Sequence, residues 1–159
     1  MYPIQSNPRQ AHLSWLPIYP GDKPPPHAVD AGHGVFIIRR YHESDVIPGK
    51  WPYEIAQCAH IPYGGSEIEV DSFEVLCNTN LYSQRECYRW IPASQGTIPP
   101  GALQAGYVGS SQEPLFVARA TINQELCVGK LHASHGCAYF PWGGVEHKRT
   151  DYEVLCFAD

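Results

Sequence analysis

The sequence predicts an all-β fold: two tandem, pseudo-symmetric repeats of short strands that share one core, sandwich- or barrel-like, with little or no helix. Three observations lead there. The first is an internal duplication. Cys58-Ala59-His60-Ile61-Pro62-Tyr63-Gly64-Gly65-Ser66-Glu67 returns as Cys137-Ala138-Tyr139-Phe140-Pro141-Trp142-Gly143-Gly144-Val145-Glu146, and Phe73-Glu74-Val75-Leu76-Cys77 returns as Tyr152-Glu153-Val154-Leu155-Cys156, both 79 positions later. The second is punctuation: 15 prolines and 14 glycines leave no long stretch with an unbroken 3.6-residue apolar period, which excludes long helices. The third is what lies between the breaks, which is short and β-rich, with Phe73 and Val75 alternating with Glu74 as in a half-buried strand.

Taken in order, residues 1–14 are polar with scattered prolines and read as a flexible arm. The first repeat, 15–77, opens on Trp15-Leu16-Pro17, which Trp90-Ile91-Pro92 matches; both tryptophans read as core. Pro25-Pro26-His27-Ala28 has its counterpart in Pro99-Pro100-Gly101-Ala102. The strand Val35-Phe36-Ile37-Ile38 has its own in Leu115-Phe116-Val117-Ala118. Gly49-Lys50 and Gly129-Lys130 read as tight turns that project a lysine from the rim. Residues 78–89 read as a linker and 90–159 as the second repeat. A unit of about 75 residues buries only about 60–65% of its unfolded surface and is marginal alone. The repeats are therefore expected to form one compact domain, and two copies are too few for a solenoid.

Composition removes several functions. A net charge of −5, with no basic run longer than Arg39-Arg40 or Lys148-Arg149, lacks the field that a nucleic-acid binder uses. The first ten residues carry neither a basic nor an apolar targeting region, and no apolar run reaches membrane-spanning length. This predicts no membrane span, and either a cytoplasmic location or release by a route that needs no signal peptide. Of six cysteines, Cys58, Cys77, Cys137 and Cys156 are equivalent across the repeats, and they read as buried thiols rather than bridges. His132, His135 and Cys137 lie close enough in sequence to share a zinc ion, but a second ligand cluster is missing and the first repeat has Pro52 to Cys58 there, so no metal and no cofactor are expected. Cys137 with His135 sits in no recognised nucleophile turn, and phosphate-cradling and dinucleotide loops are absent. Enzyme is the weaker class.

The string His42-Glu43-Ser44-Asp45-Val46-Ile47-Pro48-Gly49-Lys50, the Pro-Tyr-Gly-Gly block after Cys58, and Phe73-Glu74-Val75-Leu76 resemble the DM-nine repeat. Trp90-Ile91-Pro92-Ala93-Ser94, Leu115 to Ala120, Gly129-Lys130-Leu131-His132 and Tyr152-Glu153-Val154-Leu155 resemble it more closely still. The resemblance spans roughly residues 15–157. It implies an all-β tandem-repeat lectin that recognises mannose or mannose-containing glycans in innate immunity or pathogen recognition, often as a homodimer. It also implies that the lysine after the glycine, here Lys50 and Lys130, contacts the sugar.

A sugar site needs acceptors, donors and often an aromatic platform. In the lectins that the chain resembles, an Asp in the loop before the second strand accepts from the sugar, and this sequence departs from that pattern. The loop is Gly32-His33-Gly34 in the first repeat, preceded by Asp30. In the second it runs from Gly106 to Glu113, which is its single acid. Three readings stay open: Asp30 and Glu113 accept, or Glu67 and Glu146 beside the Gly-Gly turns accept, or the specificity has changed. Tyr63 and Trp142 could stack on a ring, although anchoring their turns in the core is the better reading. Two weak sites per chain would gain avidity on a dense glycan. The competing class is a protein-interaction or stress-associated module that keeps the fold and binds no sugar.

Overall fold

The computed structural model describes residues 12–79 and 87–158. The expected arm and linker lie mostly outside the described residues. The first half forms β1 (Leu13–Ile18), β2 (Phe36–His42), β3 (Asp45–Trp51), β4 (Ala59–Tyr63), β5 (Ser66–Val70) and β6 (Phe73–Asn78). The second forms β7 (Tyr88–Ser94), β8 (Gln104–Tyr107), β9 (Pro114–Ile122), β10 (Glu125–His132), β11 (Cys137–Trp142), β12 (Val145–Arg149) and β13 (Asp151–Phe157), with a 3-10 turn at Ala133–His135. The fold is all-β, as the turn residues and short apolar runs predict.

Strand order carries the duplication into space. The first half pairs as β1-β6-β2-β3-β4-β5 and the second as β7-β13-β9-β10-β11-β12, the same order with β8 set aside. The halves meet where Val145 of β12 opposes Ser66 of β5, and again where β8 bridges β9 to β3 through Tyr107 opposite Val46. Those seams close eight strands, β3, β4, β5, β12, β11, β10, β9 and β8, into a barrel, with β2, β6 and β1 continuing the sheet from β3 and β13 and β7 continuing it from β9.

Burial explains why several strands read as continuous apolar runs. Ile37, Leu76, Val117 and Leu155 enter a cluster shared by both halves. Their neighbours Ile38, Val75 and Cys77 face a cluster of the first half, and Phe116, Ala118, Val154 and Cys156 face one of the second. These strands therefore bury both faces. The halves also clasp one another. Arg39 lies over Trp15 at 4.3 Å, pairs with Glu74 at 2.9 Å and donates to the Ala105 carbonyl at 3.2 Å. Arg119 does the same with Trp90 at 4.3 Å, Glu153 at 3.1 Å and the Ala31 carbonyl at 2.7 Å. All six cysteines remain thiols.

One expectation is corrected. Gly49 and Gly129 lie inside β3 and β10, within buried strand and not in turns. A Cβ on Gly49 would collide with the His60 carbonyl oxygen, and one on Gly129 with that of Tyr139. Glycine is there because adjacent backbones approach too closely for any side chain.

Candidate functional site

The lysines that follow these glycines enter the interior of the barrel. Lys50 pairs with Glu67 at 3.0 Å and Lys130 with Glu146 at 3.2 Å, all four side chains being 13% exposed or less. Lys130 also donates to the Pro62 carbonyl of the other half at 2.9 Å, with the Tyr63 and Tyr139 rings each 5.5 Å from its ammonium. The acids tie the Gly-Gly turns together reciprocally. The Gly144 N–H donates to Glu67 at 3.1 Å and the Gly65 N–H to Glu146 at 3.2 Å, while the Glu67 and Glu146 amides donate to the Gly144 and Gly65 carbonyls. Burial pushes the Glu67 carboxyl up, but the Gly144 N–H, Lys50 and His60 together outweigh it and hold it below its ordinary value.

A cavity of about 270 Å³ opens beside Lys50, between β3 and the β9–β10 turn. His33, Lys50, Thr121, Gln124 and Glu125 supply its polar wall, and Val35, Ile55 and Leu126 much of its apolar one. Both repeats contribute to it. His33 (φ 54°) and Gln124 (φ 70°) hold left-handed backbone without being glycine, and at Gln124 the two-residue β9–β10 hairpin requires it, as it does at the equivalent Ser44 (φ 78°). Glu125 accepts from the Trp142 indole at 3.1 Å, so Trp142 orients one wall of the cavity. Composition gave no signal for His33, Thr121, Gln124 and Glu125, because they converge from separate repeats. Aligning Glu125 with Asp45 across the duplication was the available clue.

The second repeat surrounds its lysine differently. Its longer loop, residues 106–113, lays Gly109 against Ser44, the equivalent of Gln124, and the Gly109 N–H donates to Asp45, the equivalent of Glu125, at 2.8 Å. Glu113 closes that loop onto the 3-10 turn by accepting from the Ser134 N–H at 2.9 Å and hydroxyl at 2.5 Å, with His132 at 3.4 Å. Burial raises the Glu113 carboxyl, and the Ser134 contacts followed by His132 and His135 bring it below its ordinary value. Asp30 directs its carboxylate to the amides of Gly32 and Gly34, at 2.7 and 3.1 Å, and shapes the short loop of the first repeat. Tyr63 packs edge-on against His42 at 4.7 Å with its hydroxyl 3.4 Å from Glu43.

The enzyme-like cluster is a stack and not a ligand set. The His132 and His135 rings lie parallel with centroids 3.5 Å apart, and His135 Nδ1 is 3.0 Å from the Tyr139 hydroxyl. Among the described residues no group of three or more His, Cys, Asp or Glu side chains is placed to hold a metal ion. Cys137 is wholly buried. Among the described residues no helix is long and apolar enough to cross a membrane.

The chain is 32% identical to Natterin-3 of Thalassophryne nattereri over 104 residues, covering 65% of this chain and 25% of that protein. It is 33% identical to Natterin-4 of the same fish over 94 residues, covering 59% and 21%. It thus spans about a quarter of the length of these relatives. In three dimensions it superposes on the nematode sperm cell motility protein MFP2B with a TM-score of 0.62 at 13% identity, covering 92% of this chain and 45% of that one, a likeness of fold. The DM9 repeat family matches residues 29–149, the span that holds both Lys–Glu pairs, both Gly-Gly turns and the cavity, and this chain belongs to that family.

Proposed function

We propose that the protein binds carbohydrate, mannose-type glycans first, in the cavity beside Lys50, and acts in recognition of foreign glycans. One observation carries this reading: a cavity of about 270 Å³ that alternates donors and acceptors with an apolar wall, as a sugar with hydroxyls and a C–H face requires. Glu125 is the acceptor, Gln124 and Thr121 both donate and accept, and Lys50 donates whatever its bond to Glu67 leaves over. His33 stands in the loop where an Asp was sought. A homodimer would multiply such sites and gain avidity. The Cys137–His135 pair is not presented as a nucleophile and base, since Cys137 is buried and His135 is engaged with Tyr139.

Retention on immobilised mannan with elution by free mannose, followed by titration of methyl mannoside, tests it. Gln124→Ala and Glu125→Gln, which spare the Lys50–Glu67 pair, are expected to weaken binding about tenfold each, the effect of losing about 1.4 kcal/mol. A lysine variant is the poorer probe because it strands a buried carboxylate. The second reading, a protein-interaction module without sugar binding, draws support from both ammoniums being engaged by Glu67 and Glu146. A wild-type protein that ignores mannan and a broad panel of neutral glycans would sink the first reading and favour the second.

A further inference from the structure

The duplication supplies an internal control for the outer face of the first repeat. The Arg39 clasp is matched atom for atom by the Arg119 clasp, so those positions are structural in both halves. The adjacent positions are not matched. Tyr19, Arg40, Tyr41 and Ser72 correspond to Ser94, Ala120, Thr121 and Asp151. In the first repeat these four residues line one groove of about 260 Å³ along the ends of β1, β2 and β6.

Arg40 is the unusual member. Its guanidinium offers five N–H donors, and among the described residues its side chain makes one hydrogen bond, to the Ser72 hydroxyl at 3.2 Å, and no ion pair. Glu74, the carboxylate in the groove, is already held by Arg39 at 2.9 Å. Asp22 and Asp71 line an adjoining hollow that shares Ile18, Tyr19 and Phe73 with the groove, and the Asp22 carboxylate is taken up there by the Tyr19 N–H at 2.9 Å. Tyr19 and Tyr41 also line the groove and are 63% and 61% exposed. A cation with unused planar donors in a groove that also presents two exposed aromatic side chains favours, against the chain's net charge of −5, a ligand that carries an oxyanion on a ring with an apolar face.

We propose that this groove binds an acidic saccharide, with Arg40 clamping its carboxylate or sulfate and Tyr19 and Tyr41 flanking the ring. The groove is distinct from the Lys50 cavity and takes a charged sugar where that cavity takes a neutral one, so either assignment can fail alone. Calorimetric titration at low ionic strength with a glucuronate oligosaccharide, a sulfated oligosaccharide and inorganic sulfate tests it. The wild type is expected to bind at least one of the two saccharides, and to bind it more tightly than sulfate, with no competition from mannose. Arg40→Ala is expected to weaken binding about tenfold or more, the loss of a charge-assisted clamp, with Arg40→Lys between. Tyr19→Ala should weaken the saccharide and leave sulfate unchanged. Absence of saccharide binding by the wild type, or equal binding by a folded Arg40→Ala protein, overturns the site. Sulfate binding as tight as the saccharide overturns the sugar assignment. Should Arg40→Ala lower the melting temperature, the ordering of wild type above Arg40→Lys decides.

Discussion

At the scale of single residues, the ionisable groups near the barrel seams are held in one charge state by burial and its compensation. His60 sits beside Lys50 on the neighbouring strand, and its Nδ1 makes no hydrogen bond among the described residues. Burial depresses it below the ordinary value of 6.5, and burial with His135 does the same to His132 against the pull of Glu113. A depressed histidine favours folding in its neutral form: the unfolded chain binds the proton first, so this stability is complete above pH 6.5 and is lost as pH falls toward the folded value. Glu67 and Glu113, depressed from 4.5, contribute stability that is present above that value and lost as pH falls through their folded values. Unfolding free energy measured in urea is therefore expected to decline in two stages, the first between pH 6.5 and 4.5 and the second below. A His60→Gln/His132→Gln protein should flatten the first stage and keep the second. A full first-stage decline in that variant would mean that other groups set it.

At the scale of elements, glycine has two separate uses that the sequence makes look alike. Gly64 and Gly143, with φ of 60° and 64°, turn the β4–β5 and β11–β12 hairpins in open space. Gly49 and Gly129 are strand residues whose missing side chain lets β4 and β11 come close. The Pro-aromatic-Gly-Gly block announces a hairpin because both glycines must take positive φ. A single glycine before lysine carries no such mark, and its reading as a turn fails because close strand approach is a tertiary fact. The same limit hid the acids: Glu67 and Glu146 were candidates by sequence, but that each would bind a lysine of its own repeat and an amide of the other required the turns to meet. Gly64→Ala should cost about 1–2 kcal/mol, the strain of left-handed backbone for an L-residue. Gly129→Ala should cost more, because overpacking alone is about 1–3 kcal/mol and here the obstacle is a backbone carbonyl. Urea midpoints of the two variants check the order; equal losses would show that backbone approach does not select glycine in β10.

At the scale of the whole molecule, the repeat and a sandwich- or barrel-like class were legible, and the way the barrel closes was not. An offset of 79 between equivalent segments identifies two copies of one unit, and short apolar runs between turn residues identify strands. Barrel closure depends on β8 and on two thin seams, one residue pair at β5–β12 and one at β3–β8, which no periodicity encodes. The contacts between the halves predict that each depends on the other. Ile37 and Leu76 share a cluster with Val117 and Leu155, Arg39 reaches Ala105, Arg119 reaches Ala31, and the Gly-Gly turns exchange hydrogen bonds. A half of about 70 residues cut from this arrangement exposes one side of its core, which at about 25 cal/mol per Å² of apolar surface outweighs its small stability margin. Fragments 12–79 and 87–158, made separately, are therefore expected to lack a cooperative thermal transition and to regain one when mixed in equal amounts, with near-ultraviolet dichroism from Trp15 and Trp90 returning together. A fragment that melts cooperatively alone would show that each repeat carries a sufficient core, and that the shared cluster joins two independent units instead of completing one.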